Sequence, residues 1–229
     1  MYAAPPVTID RLPAAERHRF GSFLGAYFEG DGPLQPLLRF ALVIAGEKPA
    51  TVVQAEWNCT GSPFSTEREF IRLFERLGCT TRRISALHGW IVGHARGRFD
   101  LLPTTWNVAR NAGWHRRLGV VFGYPACDIR RFLDDREWIG PRARVKAGTF
   151  TPAEVAHTAF LCHRFDDSVD GYRRAIACGR RLRERYQQLA QSWKLPVLAA
   201  IADRQYEIAE AVYSGERAGF RGEVVAVDE

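Results

Sequence analysis

Apolar positions recur along this chain in two rhythms. Leu12, Phe20, Phe23, Leu24, Tyr27 and Phe28 lie on one stripe at helical spacing, which predicts an amphipathic helix from Pro13 to Phe28. Leu34 to Ala45 is apolar nearly all round, the pattern of a central core helix, and Gly46 stops it. The stretch TVVQAEW, 51–57, is strand-like, and NCTGSPFS, 58–65, is a loop. Thr66 and Glu69 form a capping-box pattern ahead of Phe70, Ile71, Leu73, Phe74 and Leu77, with Gly78 as the stop. Thr80 to Leu87 and Trp90 to Phe99 read as strands joined at His88-Gly89, and period-two alternation puts Trp90, Val92, His94 and Arg96 on one face.

The middle of the chain is organised around WHRRLGVVFGYPACDIRRFLDD, 114–135. A helix from about Thr105 runs into Leu118–Phe122. Gly123 closes it in a left-handed conformation, and Pro125 suits the start of the next helix. This helix–corner–helix gathers Tyr124, Cys127 and Asp128 beside Arg116, Arg117, Arg130 and Arg131. Beyond it, Ile139 to Lys146 predicts a short strand. Thr151-Pro152-Ala153-Glu154 combines a capping box with proline at the first helical position, starting a helix that runs to about Phe165. Longer helices follow at about Asp167 to Trp193 and Pro196 to Tyr213, and Gly222 to Val227 reads as an edge strand. The expected fold is therefore α+β and helix-rich, with a small mixed sheet, organised as an α+β core over 1–150 and a helical C-terminal subdomain over 151–229 packed on it.

Composition narrows the function classes. The 229 residues are 46% hydrophobic and 25% charged, ordinary for a globular protein. No apolar run approaches the roughly 18 residues of a membrane span, and the opening MYAAPPVTIDRLP lacks a basic region followed by an apolar one. A soluble cytoplasmic protein without a membrane partner is expected. Five cysteines (Cys59, Cys79, Cys127, Cys162, Cys178) form no C-x-x-C pair, which argues against a disulfide framework and a zinc ribbon. The formal charge of +6 permits anionic ligands, acidic partners or nucleic acid, and the basic residues are almost all arginine, with only Lys48, Lys146 and Lys194 as lysines.

Chemistry-bearing residues fall in a few places. No G-x-S-x-G, P-loop or G-x-G-x-x-G motif is present. Lys48, after a buried helix and before a strand, presents its ammonium to a cleft or rests at a helix C-terminus, where a cation is favoured. His94 and Arg96 line a pocket or sit on a solvated sheet face. His157, Cys162, His163, Asp166, Asp167 and Asp170 cluster, and on a helix His163 and Asp167 share a face, either as half a metal site or as an internal ion pair. No metal spacing is complete, so no metal ligand and no cofactor is assigned. Cys127, near a helix start and several arginines, is either a stabilised thiolate or a packing residue. Arg173, Arg174, Arg180, Arg181, Arg183 and Arg185, with Trp90, Trp106 and Trp114 as exposed aromatics, would suit phosphates and unstacked bases, or form a solvated helix face.

Three stretches in order, ALVIAGEKPATVV (41–53), WIVGHARGRFDLL (90–102) and HRRLGVVFGYPACDIRRFL (115–133), carry Lys48-Pro49-Ala50, Arg96, Gly123-Tyr124-Pro125 and Asp128. Over roughly residues 37–150 this pattern resembles that of a bacterial family of unknown function, DUF3793; the N-terminal helix and the extended C-terminal helices depart from it. The family brings no activity. The resemblance implies only that Lys48, Arg96, Tyr124 and Asp128 belong to one site.

Three expectations follow. The first is a small anionic ligand, bound in a cleft near the Gly-Tyr-Pro corner by Lys48, Arg96 and Tyr124, with Asp128 or His94 moving a proton if the protein is an enzyme. The second is a nucleic-acid-binding accessory protein using Arg173, Arg174, Arg180 and Arg181. The third is a structural or adaptor subunit that docks a protein partner on the helical C-terminal part.

Overall fold

The computed structural model describes residues 14–29, 34–54, 56–84, 89–94, 99–101, 112–134, 137–161 and 163–216. Helix α1 (Ala14–Glu29) and helix α2 (Gln35–Ile44) are followed by strand β1 (Ala50–Val53), helix α3 (Glu67–Arg76), strand β2 (Thr80–Ile84) and strand β3 (Gly89–Gly93). Helices α4 (Ala112–Val121), α5 (Ala126–Phe132), α6 (Pro141–Lys146) and α7 (Pro152–Ala156) lead to the long α8 (Val169–Trp193) and α9 (Pro196–Ser214). The fold is α+β and helix-rich, with a helical C-terminal part. No helix of the described residues is long and apolar enough to cross a membrane.

The sheet has three strands in the order β1-β3-β2, and it is antiparallel rather than mixed. β3 lies in the middle and runs against both neighbours, so β1 and β2, which share a direction, never pair with each other. Direct pairing of Val52 with Ile91 and of Thr51 with Val92 assigns the faces. Val53 and Val92 join the main apolar cluster, with Phe20, Phe23, Leu37, Phe40, Phe70 and Phe74. Ala50 and Ile91 join a smaller cluster with Trp114 and Val121, flanked by Leu118 and Phe122. One face of the sheet thus packs on the α1–α3 side and the other on α4. The main cluster continues through Val155, Phe160, Tyr172, Tyr186, Leu198, Ile201 and Val212, so α7, α8 and α9 share a buried core with α1–α3.

Several local expectations change. Ile139–Lys146 is not a strand: Gly140 takes the cap position and Pro141, with its φ preset, begins α6. The helix starting at Thr151 keeps its capping box but becomes α7 followed by a 3-10 turn, His157–Phe160, and Leu161 is already extended. Residues 163–168 lie outside any helix, because Ser168 caps α8 through the Gly171 N–H. Trp114 is buried and Trp90 half-buried with Arg68 over its ring, so neither is an exposed aromatic. The expected His88-Gly89 turn, the stretch from Thr105, Trp106, Cys162 and the Gly222–Val227 strand lie wholly or partly outside the described residues, as do Arg96 and residues 1–13.

Candidate functional site

Backbone chemistry fixes the corner. Gly123 has φ +76°, and the Tyr124 N–H reaches Gly119 O at 2.8 Å while the Gly123 N–H reaches Val120 O at 3.1 Å. This pair of bonds is the Schellman closure of α4. The carbonyl of Phe122, left over at the helix end, accepts the Lys48 ammonium at 3.0 Å. A cation there also meets the negative end of the α4 dipole. Lys48 is buried, and its ammonium lies 4.7 Å from the Tyr124 ring centre. It ties β1 to the corner.

Pro125 then starts α5, and Ile129 N–H bonds to its carbonyl. In the first turn of α5, Asp128 faces the segment 163–167. Its Oδ2 accepts His163 Nε2 at 2.8 Å, and its Oδ1 accepts the Asp166 N–H at 3.1 Å. A carboxylate only accepts, so Nε2 carries the proton and, in the neutral ring, Nδ1 is the basic nitrogen. Nδ1 is buried and has no hydrogen-bond partner among the described residues. Tyr124 stacks on the imidazole, with ring centres 4.1 Å apart and 24° between planes. Burial pushes the Asp128 carboxyl up, but the bonds from His163 and the Asp166 N–H overcome it and hold the group below its ordinary value.

These rings form the polar end of a cavity of about 180 Å³. Its other walls are Leu118, Gly119, Phe122, Ile129 and Phe132, with His115 and Arg164 as further cationic or ionisable groups. His115 meets Phe132 edge-on at 5.3 Å, and Phe132 is half-exposed. The cavity is apolar except at His115, Tyr124, Asp128, His163 and Arg164, a lining suited to a small molecule with an apolar body.

One turn further along α5, Arg131 makes a second contact with the same segment. It donates to both Asp167 oxygens, at 2.7 and 2.8 Å, and to Glu137 O at 2.7 Å. Asp167 also accepts the Ile139 N–H, and Arg144 donates to its carbonyl. The Arg131 hydrogen bonds hold the Asp167 carboxyl at about 2. The expected His163–Asp167 pair on one helix face is therefore replaced: each residue pairs with α5 instead, His163 with Asp128 and Asp167 with Arg131. The backbone of this segment is bonded from three places in the chain: the Asp166 N–H by Asp128, the Phe165 carbonyl by Trp138 and the Asp167 carbonyl by Arg144.

The candidate residues are distributed unevenly. Lys48, Tyr124 and Asp128 come together at the corner, with His163 as the addition. His94 does not join them. It follows Val92 on the opposite face of the sheet, where its Nε2 donates to Val43 O at 2.6 Å. Arg96 lies outside the described residues. Cys127 is held by burial and by the charge of Asp128 above its ordinary pKa, which favours the thiol. On α8, Arg173 pairs with Asp170 and Arg174 with Asp166, while Arg183 pairs with Asp203 and Arg185 with Glu47. Arg180 and Arg181 are exposed and make no ion pair among the described residues. Those residues contain no group of three or more His, Cys, Asp or Glu arranged to hold a metal ion.

His163 was visible in the sequence as part of a His/Asp cluster, but its partner, 35 positions away, carries no local signature. The local clue was Asp166-Asp167-Ser168: a serine two residues before Asp170 and three before Gly171 marks a helix start, which takes Asp167 out of the helix. No family model matches the chain, nor does any curated protein or solved structure.

Proposed function

We propose that the chain binds a small anionic ligand with an apolar body in the corner cavity, and that His163, oriented by Asp128, accepts and returns a proton there. The observation that carries this reading is the His163 imidazole, lining an otherwise apolar cavity, whose buried Nδ1 has no partner among the described residues. A carboxylate that fixes the tautomer through one nitrogen leaves the other as a general base. Arg164 supplies the positive charge for the anion, and His115 a ring nitrogen for hydrogen bonding. Lys48 and Tyr124 act as positioning residues, since the ammonium is bound to a helix-end carbonyl and the phenol ring lies against the imidazole. The resemblance to DUF3793 belongs to the same proposal, because Lys48, Tyr124 and Asp128 are the positions it singles out. We take the cytoplasm as the compartment of action. The nucleic-acid reading has weaker support, since Arg173 and Arg174 are already matched by Asp170 and Asp166.

The test is a titration with benzoate, an anion on a flat apolar body, followed through the ring nitrogens of His163 by NMR. Saturable displacement of the Nδ1 resonance is expected, weakened in Arg164→Ala. His163→Gln is expected to abolish benzoate binding, read by calorimetry. A His163 signal unmoved at saturating benzoate, with the fold intact, would sink the reading.

A further inference from the structure

A second cavity, of about 350 Å³, lies between the start of α5 and α8, and Asp128 is the lining residue it shares with the corner cavity. The sequence of α8 makes room for it. Gly171, Ala175 and Cys178 recur at helical spacing and keep one stripe of the helix low. Arg174 and Arg181 also line the cavity. They are seven positions apart, so they stand about 10 Å from each other along the axis with Cys178 between them. Leu161 and Phe165 give the opposite side an apolar surface.

The two arginines differ in what they already hold. Arg174 is bound by the Asp166 carboxylate at 2.6 Å, whose other oxygen is engaged by the Ser168 N–H. Arg181 makes no ion pair among the described residues. An oxyanion therefore already sits on one guanidinium, while the second, on the same cavity, has none. A carboxylate carries one charge and suits one guanidinium fork. A phosphoryl group carries up to two charges and three acceptor oxygens, enough for two forks at once.

We propose that this cleft binds an organic phosphate monoester, its phosphoryl group held between Arg174 and Arg181 and its apolar body against Leu161 and Phe165. Asp166 is the internal competitor: the ligand displaces its carboxylate from Arg174. The site shares only Asp128 with the lining of the corner cavity and stands whether or not His163 moves a proton.

The test is calorimetric titration of the full chain with phenyl phosphate at low salt, with alkylation of Cys127, which lines the same cavity, reporting location. Binding that slows Cys127 alkylation is expected. Arg181→Ala should weaken it about tenfold, the loss of a charge-assisted hydrogen bond, and Arg181 is exposed, so the variant folds. Asp166→Asn, which keeps the contact to Ser168 but removes the competing charge, should tighten binding several-fold. His163→Gln should leave it unchanged, whereas it abolishes benzoate binding at the corner.

The proposal is overturned if phenyl phosphate fails to bind even Asp166→Asn, or if Arg181→Ala binds as well as the native chain. It is also overturned if inorganic phosphate binds as tightly, which would mean a simple cationic patch. Displacement of phenyl phosphate by a single-stranded oligonucleotide with a much steeper salt dependence would overturn it in favour of a nucleic-acid surface.

Discussion

Helix α5 reaches the segment 163–167 at two points one turn apart, and the two contacts are built differently. At Arg131–Asp167, the guanidinium donates to both carboxylate oxygens and to Glu137 O, Asp167 takes the Ile139 N–H, and Arg144 closes on its carbonyl. At Asp128–His163 the carboxylate is equally engaged, by the ring and by the Asp166 N–H, but the imidazole keeps one buried nitrogen without a partner among the described residues. An orphaned buried polar atom costs roughly 1–3 kcal/mol. Neither Arg131 nor Asp167 carries such an orphan among the described residues, although Arg144 Nε beside them does. On the proposed function, that difference separates a contact that holds α5 from one that also serves the cavity.

The largest effect is expected from Arg131→Met, which leaves Asp167 buried without its counter-charge. A loss of about 3–5 kcal/mol is expected by urea unfolding. A loss under about 1 kcal/mol would erase the structural half of the comparison. Acid should expose the same contact. Because the folded Asp167 carboxyl is held at about 2, below its ordinary 3.8, its contribution is complete above about pH 4 and disappears as the pH falls toward 2. The contribution amounts to about 2 kcal/mol, and Asp167→Asn should flatten the stability profile over that window. Asp128 is shifted in the same direction and loses its share on the same acid side.

Asp128→Asn retains the shape and one acceptor, so a smaller cost of about 1.5 kcal/mol is expected. Its main effect should fall on His163, whose tautomer is no longer imposed; NMR of the ring nitrogens should report a mixture. If Asp128→Asn destabilises as much as Arg131→Met and leaves the ring unchanged, both contacts are architectural. The smallest effect is expected for Gly123→Ala. At φ +76° a side chain is strained, and a Cβ would meet the ring of Pro49 at 2.8 Å. A cost of about 1 kcal/mol is expected in thermal unfolding, along with a weakened Lys48 contact and freer motion of Tyr124 over His163.

The corner was legible because its rules are local. Gly123 and Pro125 state within three letters that one helix ends and another begins, and Thr151-Pro152 with Glu154 marks the start of α7. The long α8 was legible from its length and apolar stripe. The segment between them was not. Reading the Thr151 helix through to Phe165 paired His163 with Asp167, whereas the chain turns extended at Leu161. His94 shows the same limit. Alternation along β3 put it on a face with Val92, and it is on that face, but only the packing of α2 against one side of the sheet and α4 against the other separates it from Asp128.

Helix ends, turns and strand alternation are written in the chain because the backbone groups they satisfy lie within a few residues of the side chains that satisfy them. The pairing of Asp128 with His163 and of Arg131 with Asp167, 35 and 36 positions apart, obeys no period. It depends on where α5 lies against the segment before α8. The same ionisable residues would make an ordinary solvated surface if that packing shifted by one turn.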